Sequence, residues 1–335
     1  MTRAPVVLLA LAAALAAAAP ASATFPGANG KLVFQRPAGG QVNVFTIGAD
    51  GRGAARILGT SLIEEQPVWS PDGRRIAFAR SARGGHPTEI WTTGPGGEDL
   101  RQVTRFKDVA AAPAWTPDGR IVFFTTKDFR APSSRDAPPP PAELYSIAAD
   151  GSDARRLTND RSIQTDPDVS PIDGTIAFAQ WRAVAGRPGV HDIGLSAFAP
   201  DGSGRRTLVP ISAFRDAVNP SWSPDGRRIA FEILSATPPG DTGGARRQSD
   251  VATMNADGTD VRRLTRSGAL ETVPVWSPDG TLIAFTSDRH KKRGKRERNS
   301  RDFELYVMRA DGSAMRRITR NTVADLYPDW QALPR

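Results

Sequence analysis

Carboxylates recur in this sequence at a fixed distance from tryptophan. Five residues before the Trp of a repeated Pro-x-Trp tract, or its equivalent, stand Glu64, Ala110, Gln164, Ala217, Glu271 and Asp325, with Glu65 and Asp166 close by. Gathered in one place, these carboxylates would suit Ca²⁺ or a cationic group of a ligand, because hard cations take oxygen donors. The plainer role is a side chain that caps its own loop backbone. A second series, Asn43, Glu89, Glu143, Asp192, Asp250 and Glu304, opens a strand pattern in each repeat. A position that recurs so regularly serves the repeat itself.

Basic residues and histidines make the other candidates. Arg289 to Arg301 holds eight basic residues against one acid, among them Arg289, Lys291, Lys292, Arg293, Lys295 and Arg296, and Arg246-Arg247 adds to them. Such a run reads as a solvated loop. As a binding element it suits an anionic envelope polymer or lipid headgroups. It has no aromatic residue for base stacking, so nucleic acid is not an expected partner. His86, His191 and His290 would form an imidazole site for Zn, Mn or Fe if they met. Arg289 and Lys291 flank His290 and would repel such a cation, so no metal is expected there. No serine sits in a recognisable nucleophile turn. The chain has no cysteine, which excludes disulfides, thiol nucleophiles and cysteine-ligated metals.

What must position these groups is legible in the rest of the 335 residues. With 39% hydrophobic and 24% charged residues, the chain has material for a core and is not globally disordered. Residues 1–23 join Arg3 to an apolar run from Val6 to Ala19 and an Ala21-Ser22-Ala23 exit, the pattern of a cleaved secretory signal peptide. The apolar run reaches about 21 Å, short of the roughly 30 Å hydrocarbon core. The mature chain is therefore expected from residue 24, secreted or periplasmic, with no transmembrane segment.

One tract then recurs. Pro67-Val68-Trp69-Ser70-Pro71-Asp72-Gly73, followed by Ile76-Ala77-Phe78, returns at Pro113 to Phe123, Pro220 to Phe231 and Pro274 to Phe285. A degenerate copy at Pro167 to Phe178 has Val169 in the tryptophan position and Ile172 inserted. The remaining copy is split, with Leu32-Val33-Phe34 near one end and Tyr327-Pro328-Asp329-Trp330 at the other. The phenylalanines 34, 78, 123, 178, 231 and 285 step by 44, 45, 55, 53 and 54 residues. Those periods lie near or just above that of one four-stranded propeller blade. Pro-x-Trp reads as strand a, Ile-Ala-Phe as strand b, Glu143 to Ile147 as the type of strand c, and Leu-Thr as the end of strand d. Proline sets φ in the Ser-Pro-Asp-Gly turn, and glycine supplies the positive φ that returns the chain.

The expected fold is all-β. It is a single six-bladed β-propeller of four-stranded antiparallel blades over 24–335, with repeats at about 31–59, 66–105, 112–159, 166–209, 219–266 and 273–320. A closing strand at 326–331 joins the N-terminal blade. Strand a then lines a central channel, so Glu64, Glu65, Asp166, Glu271 and Asp325 are expected at its mouth, with Ca²⁺ the one ion they would suit. The Asp-Gly turns lack the alternating ligands and distal Glu of a calcium loop.

The pattern Pro-x-Trp-Ser-Pro-Asp-Gly, Ile-Ala-Phe, Asp-Gly and Leu-Thr resembles the TolB-type propeller repeat over residues 31–330. The resemblance implies an extracytoplasmic, non-catalytic propeller of the kind that docks a lipoprotein in a cell-envelope complex. TolB carries an α/β domain before its propeller, whereas only Thr24 to Gly30 precede the first strand here. Prolyl-oligopeptidase-like enzymes also carry this repeat, but their Gly-x-Ser-x-Gly elbow is not found in the chain.

In such a blade the a–b and c–d turns share one face, and the b–c and d–a loops share the other. The first face has uniform short turns. The length variation falls in the b–c connections Ala79–Thr88, Phe124–Ala142, Ala179–His191, Glu232–Ser249 and Thr286–Phe303. Variable loops on a fixed frame are where binding residues sit. The expected function is a monomeric scaffold, not an enzyme, that binds an envelope protein or glycan through the b–c/d–a face. The alternative is a polysaccharide- or peptide-degrading lyase or hydrolase with its site in the central funnel.

Overall fold

The computed structural model describes residues 24–82, 85–129, 140–183, 191–211, 215–235, 248–290 and 302–334. The expected signal peptide lies outside them. Among the described residues every regular element is a β-strand, and no helix is long and apolar enough to cross a membrane.

Among the described residues twenty-four strands form six four-stranded sheets, each ordered a-b-c-d across the sheet. Strand a of blade 1 is Leu326–Leu333, which pairs antiparallel with Ala28–Ala38 and sets Leu32 opposite Trp330 and Val33 opposite Asp329. The split repeat is thus the closure of the ring, as its two halves imply. Blades 2 to 6 open with Ile63–Trp69, Ala110–Trp115, Ile163–Val169, Arg215–Trp222 and Glu271–Trp276. Each strand a packs on the next round the circle, and that of blade 6 on that of blade 1.

The core lies between blades, because a lone sheet leaves both faces wet. The six repeat phenylalanines are buried, and Trp69, Trp115, Trp222, Trp276 and Trp330 are nearly so. Val169 fills the tryptophan position of blade 4 with no exposure. Leu32, Phe34 and Trp330 of blade 1 share a cluster with Val275, Ala284 and Leu305 of blade 6, so apolar packing as well as pairing closes the ring.

The turns behave as their residues dictate. In the a–b turn the glycine N–H returns to the first residue of the turn, as in Gly73 N to Ser70 O at 2.9 Å and Gly280 N to Ser277 O at 2.8 Å. In the c–d turns Asp50, Asp150, Asp201, Asp257 and Asp311 each accept the N–H two residues on. These carboxylates serve their own backbone.

One feature was not visible in the repeat. Gln66, Ala112, Asp166, Asn219, Val273 and Tyr327, each just before the strand-a proline, all have φ between 53° and 57°. The left-handed conformation is disfavoured before proline and costs about 1–3 kcal/mol. It marks a bulge, because the a–b register shifts at this point in all six blades. Proline has no N–H to lose, so the residue before it carries the one donor the bulge strands. Neighbouring blades supply acceptors. Gln66 N donates to Gln35 Oε1 at 2.8 Å, and Ala112 N donates to Gln66 Oε1 at 2.9 Å.

Candidate functional site

The bulge decides where acidic side chains point. Glu65 pairs with Ala79 and Val68 with Ala77, so three residues of strand a span two of strand b. Positions four and one before the tryptophan therefore share a sheet face, and position five lies on the other.

Position five holds the carboxylates singled out by spacing, and their own blades occupy them. Glu64 accepts from Thr60 Oγ1 at 2.7 Å and faces Arg80 Nε at 3.6 Å. Glu271 accepts from Ser267 Oγ at 2.7 Å and from Arg289 Nε at 2.9 Å. Asp325 holds Arg36 through two bonds, of 2.5 and 2.8 Å, and accepts from Asn321 Nδ2 at 2.8 Å. Gln164 donates to Asp160 at 2.6 Å. All four are fully buried. These contacts are all between side chains, with an arginine in three blades; the loop N–H groups are capped instead by the partners Thr60, Ser267, Asp160 and Asn321. Burial raises the Glu64 carboxyl above its ordinary range, partly offset by Thr60 and Arg80. A Ca²⁺ ion at Glu64, Glu271 and Asp325 would have to displace those arginines, so the expected calcium set is corrected at these positions.

Glu65 and Asp166 belong to a different group, at the axis. Burial raises the Tyr327 hydroxyl, and the carboxylates of Glu65, Asp166 and Glu232 add to the effect. These four residues come from blades 1, 2, 4 and 5, and the neighbouring pair 1 and 2 meets the neighbouring pair 4 and 5 only across the centre of the ring. Asp166 is fully buried, takes Thr165 Oγ1 at 3.1 Å on Oδ2, and has no hydrogen bond to Oδ1 among the described residues. Burial, with Glu232 nearby, pushes its carboxyl well above the usual range. Burial pushes Glu232 up to about 7, partly offset by Asn219, Ser249 and the Val273 N–H. Glu65 is raised by burial as well.

Asp168 and Asp329 form a second tier one position before the tryptophan, nearer the a–b turns. Both are buried. Burial raises Asp168 well above the carboxylate range, the Trp222 N–H opposes this, and Asp329 across the ring adds to it. The spacing argument missed Asp168, Asp329, Glu232 and Tyr327. For Asp168 and Asp329 the available signal was Asp in place of the Val, Ala or Ser that other blades carry between the proline and the tryptophan position.

No ion pair is recorded among the described residues for Glu65, Asp166, Asp168 or Glu232, although the acids at position five in blades 1, 2 and 6 all have one. The centre of the ring is thus a low-dielectric region rich in carboxyl groups that have no basic partner among the described residues, a setting that favours a positive group.

The residues that open strand c have the structural role their regularity implied. Glu89 accepts from Thr104 Oγ1 and, at 2.7 Å, from Lys107 N. Glu143 accepts from Thr158 Oγ1 and, at 2.9 Å, from Arg161 N. Each ties strand c to the chain leaving strand d.

The basic candidates divide. Arg289 is held by Glu271 and lies over the Tyr306 ring at 5.8 Å, which removes it from the free basic surface. Lys291, Lys292, Arg293, Lys295 and Arg296 lie outside the described residues, as do Arg246 and Arg247. Of the histidines, His86 is exposed and the His191 side chain lies outside the described set. His290 faces Asp302 and Glu304.

No family model matches the chain. It is 30% identical over 150 residues to a protein TolB homolog of Chlorobium luteolum, covering 44% of this chain and 29% of that protein. It is 30% identical over 134 residues to the Tol-Pal system protein TolB of Anaeromyxobacter sp. strain K, covering 40% of this chain and 26% of that one. These matches span less than a third of the length of either relative. The crystal structure of TolB from Acinetobacter baumannii superposes on 90% of this chain and 67% of its own, with TM-score 0.67 and 20% identity. Oligogalacturonate lyase in complex with manganese superposes on 90% of this chain and 78% of its own, with TM-score 0.57 and 14% identity, so the architecture also occurs in an enzyme. Repeat, ring and likeness agree: the chain is a six-bladed β-propeller whose repeats are similar to those of TolB proteins.

Proposed function

We propose that this propeller is an extracytoplasmic binding protein without catalysis of its own, and that it receives an envelope protein on its b–c/d–a face. In this reading a lysine or arginine of the partner reaches the carboxyl groups at the centre of the ring. The observation that carries it is the set of buried carboxyl groups at the axis with no basic partner among the described residues. The repeat does not need them: Ala112 and Val273 serve at the bulge where blade 4 has Asp166, and Val68, Ala114 and Val275 serve where it has Asp168. Carboxyls kept in a buried place at a cost to stability point to binding. The expected signal peptide and the TolB likeness support the compartment and the class of partner, the Tol-Pal system being named for one relative.

The test is capture from the organism's own envelope fraction by the mature protein, with partners identified by mass. Alongside it run Asp166→Asn, Asp168→Asn and a Gly/Ser replacement of residues 289–301. A discrete envelope protein held by the wild type, and at least tenfold more weakly by the Asn variants at matched melting temperature, supports the axial reading. Equal retention by the Asn variants overturns it. Capture of glycan alone transfers the role to a polymer. Unchanged retention at low salt by the Gly/Ser variant removes the basic segment from the account.

A further inference from the structure

We propose that His290, Asp302 and Glu304 bind one divalent transition-metal ion, zinc in preference to calcium, at the base of the b–c connection of blade 6. One donor atom from each of the three lies within 4.8 Å of the others. His290 Nε2 is 3.2 Å from Asp302 Oδ1, yet neither ring nitrogen of His290 makes a hydrogen bond among the described residues, and both nitrogens are buried. Two ligands of one zinc, each about 2.0–2.2 Å from the ion at a tetrahedral angle, stand roughly 3.3 Å apart. A nitrogen and a carboxylate oxygen at that distance, without the angles of a hydrogen bond, are arranged as co-ligands.

Glu304 completes the set because blade 6 departs from the pattern of blades 2 and 3. There, Thr104 and Thr158 hydroxyls cap Oε2 of Glu89 and Glu143. Glu304 instead receives Arg317 and Asn321 N on Oε1, and Oε2 is met by Asn321 Nδ2 at 3.4 Å, a weak contact. Glu304 is fully buried, and the His290 side chain is 14% exposed, so the site has a fixed floor and a path from solvent. The nearest arginines do not forbid a cation. Arg289 is neutralised by Glu271, and Arg317 by Glu304 itself.

One imidazole with two carboxylates is a borderline donor set that favours zinc, whereas calcium wants six to eight oxygens. A bound ion would join the end of strand b to the start of strand c, where Ser287 pairs with Glu304. It would thereby fix both ends of the segment 291–301, in which seven of eleven residues are basic.

The experiment is calorimetric titration of ZnCl₂ into chelator-treated, tag-free mature protein, with CaCl₂ as comparison. His290→Ala is the main variant because His290 lies in the turn after strand b, outside the sheet, and Asp302→Asn is the second. One equivalent of zinc should bind, at least tenfold more weakly in either variant, with both variants melting as the wild type does in chelator. Co²⁺ should give the visible absorption of a four-coordinate ion, lost in His290→Ala. No zinc uptake, uptake unchanged in both variants, or calcium bound as tightly as zinc would each overturn the assignment. Because no channel residue takes part, failure here leaves the axial binding reading intact.

Discussion

Asp168 and Asp329, on opposite blades, each accept the tryptophan N–H of the next strand a round the ring: Trp222 N donates to Asp168 Oδ2, and Trp69 N to Asp329 Oδ2, both at 2.5 Å. The two are related by half a turn, and each fastens one blade to its successor. Blades 2, 3 and 6 carry Val68, Ala114 and Val275 in the same place, so a carboxylate there is not required for adjacent blades to pack.

This pair separates the hydrogen bond from the charge. Asn at 168 keeps an acceptor for Trp222 N and removes a carboxyl held far above its ordinary range by burial and by Asp329. Ala removes both, and an unsatisfied buried N–H costs about 1–3 kcal/mol. Denaturant unfolding at pH 8 is expected to rank Asp168→Asn at or above the wild type and Asp168→Ala below both. Asn falling well below the wild type, to the level of Ala, would mean that the carboxylate itself holds the blades.

Glu232 gives the pH dependence. Its folded-state value, pushed up to about 7 by burial, lies above the ordinary 4.5, so the folded chain takes up this proton first as pH falls. The stability linked to it is present in full below about 4.5 and is lost as pH rises through 7. The shift corresponds to something on the order of 3 kcal/mol at alkaline pH. Gln offers one accepting oxygen where the carboxylate has two, and Asn219, Ser249 and the Val273 N–H all donate there, which reduces the net gain. Glu232→Gln should therefore raise the melting temperature over the wild type at pH 8.5, by a margin that shrinks to nothing or reverses by pH 4.5. A margin independent of pH would show that Glu232 is not buried as a carboxyl group.

The ring was legible because its pattern is redundant. Phe34 lacks a strand a before it and Trp330 lacks a strand b after it, and the two pieces complete each other. Val169 could stand for tryptophan because Pro167 and Phe178 kept the phase. The site was less legible because side-chain direction depends on the pleat. An alternation count that omits the bulge at Asp166 places positions four and one before the tryptophan on opposite faces, whereas the inserted residue brings them to the same one. Glu64 and Glu65 are adjacent in sequence, yet one is spent on Thr60 and Arg80 and the other lies at the axis. Proline in the middle of an inner strand was the signal for a bulge.

The closing strand carries the remaining prediction. Leu326–Leu333 gives blade 1 its innermost strand, and Trp330 from it completes the core shared with blade 6. Removing the last ten residues would strip the pairing partners of Leu32, Val33 and Gln35 and expose Val275 and Ala284 on the blade 6 side. Trp330→Ala alone should cost about 3–5 kcal/mol through the lost burial and the cavity left behind. The truncation should cost more, because an open edge strand beside an uncovered apolar face also invites association. The truncated chain is thus expected to elute as aggregate on size exclusion and to show no cooperative melt, with Trp330→Ala folded but lower melting. A truncated chain that stays monomeric and melts with the full-length protein would show that six blades hold together without the lock.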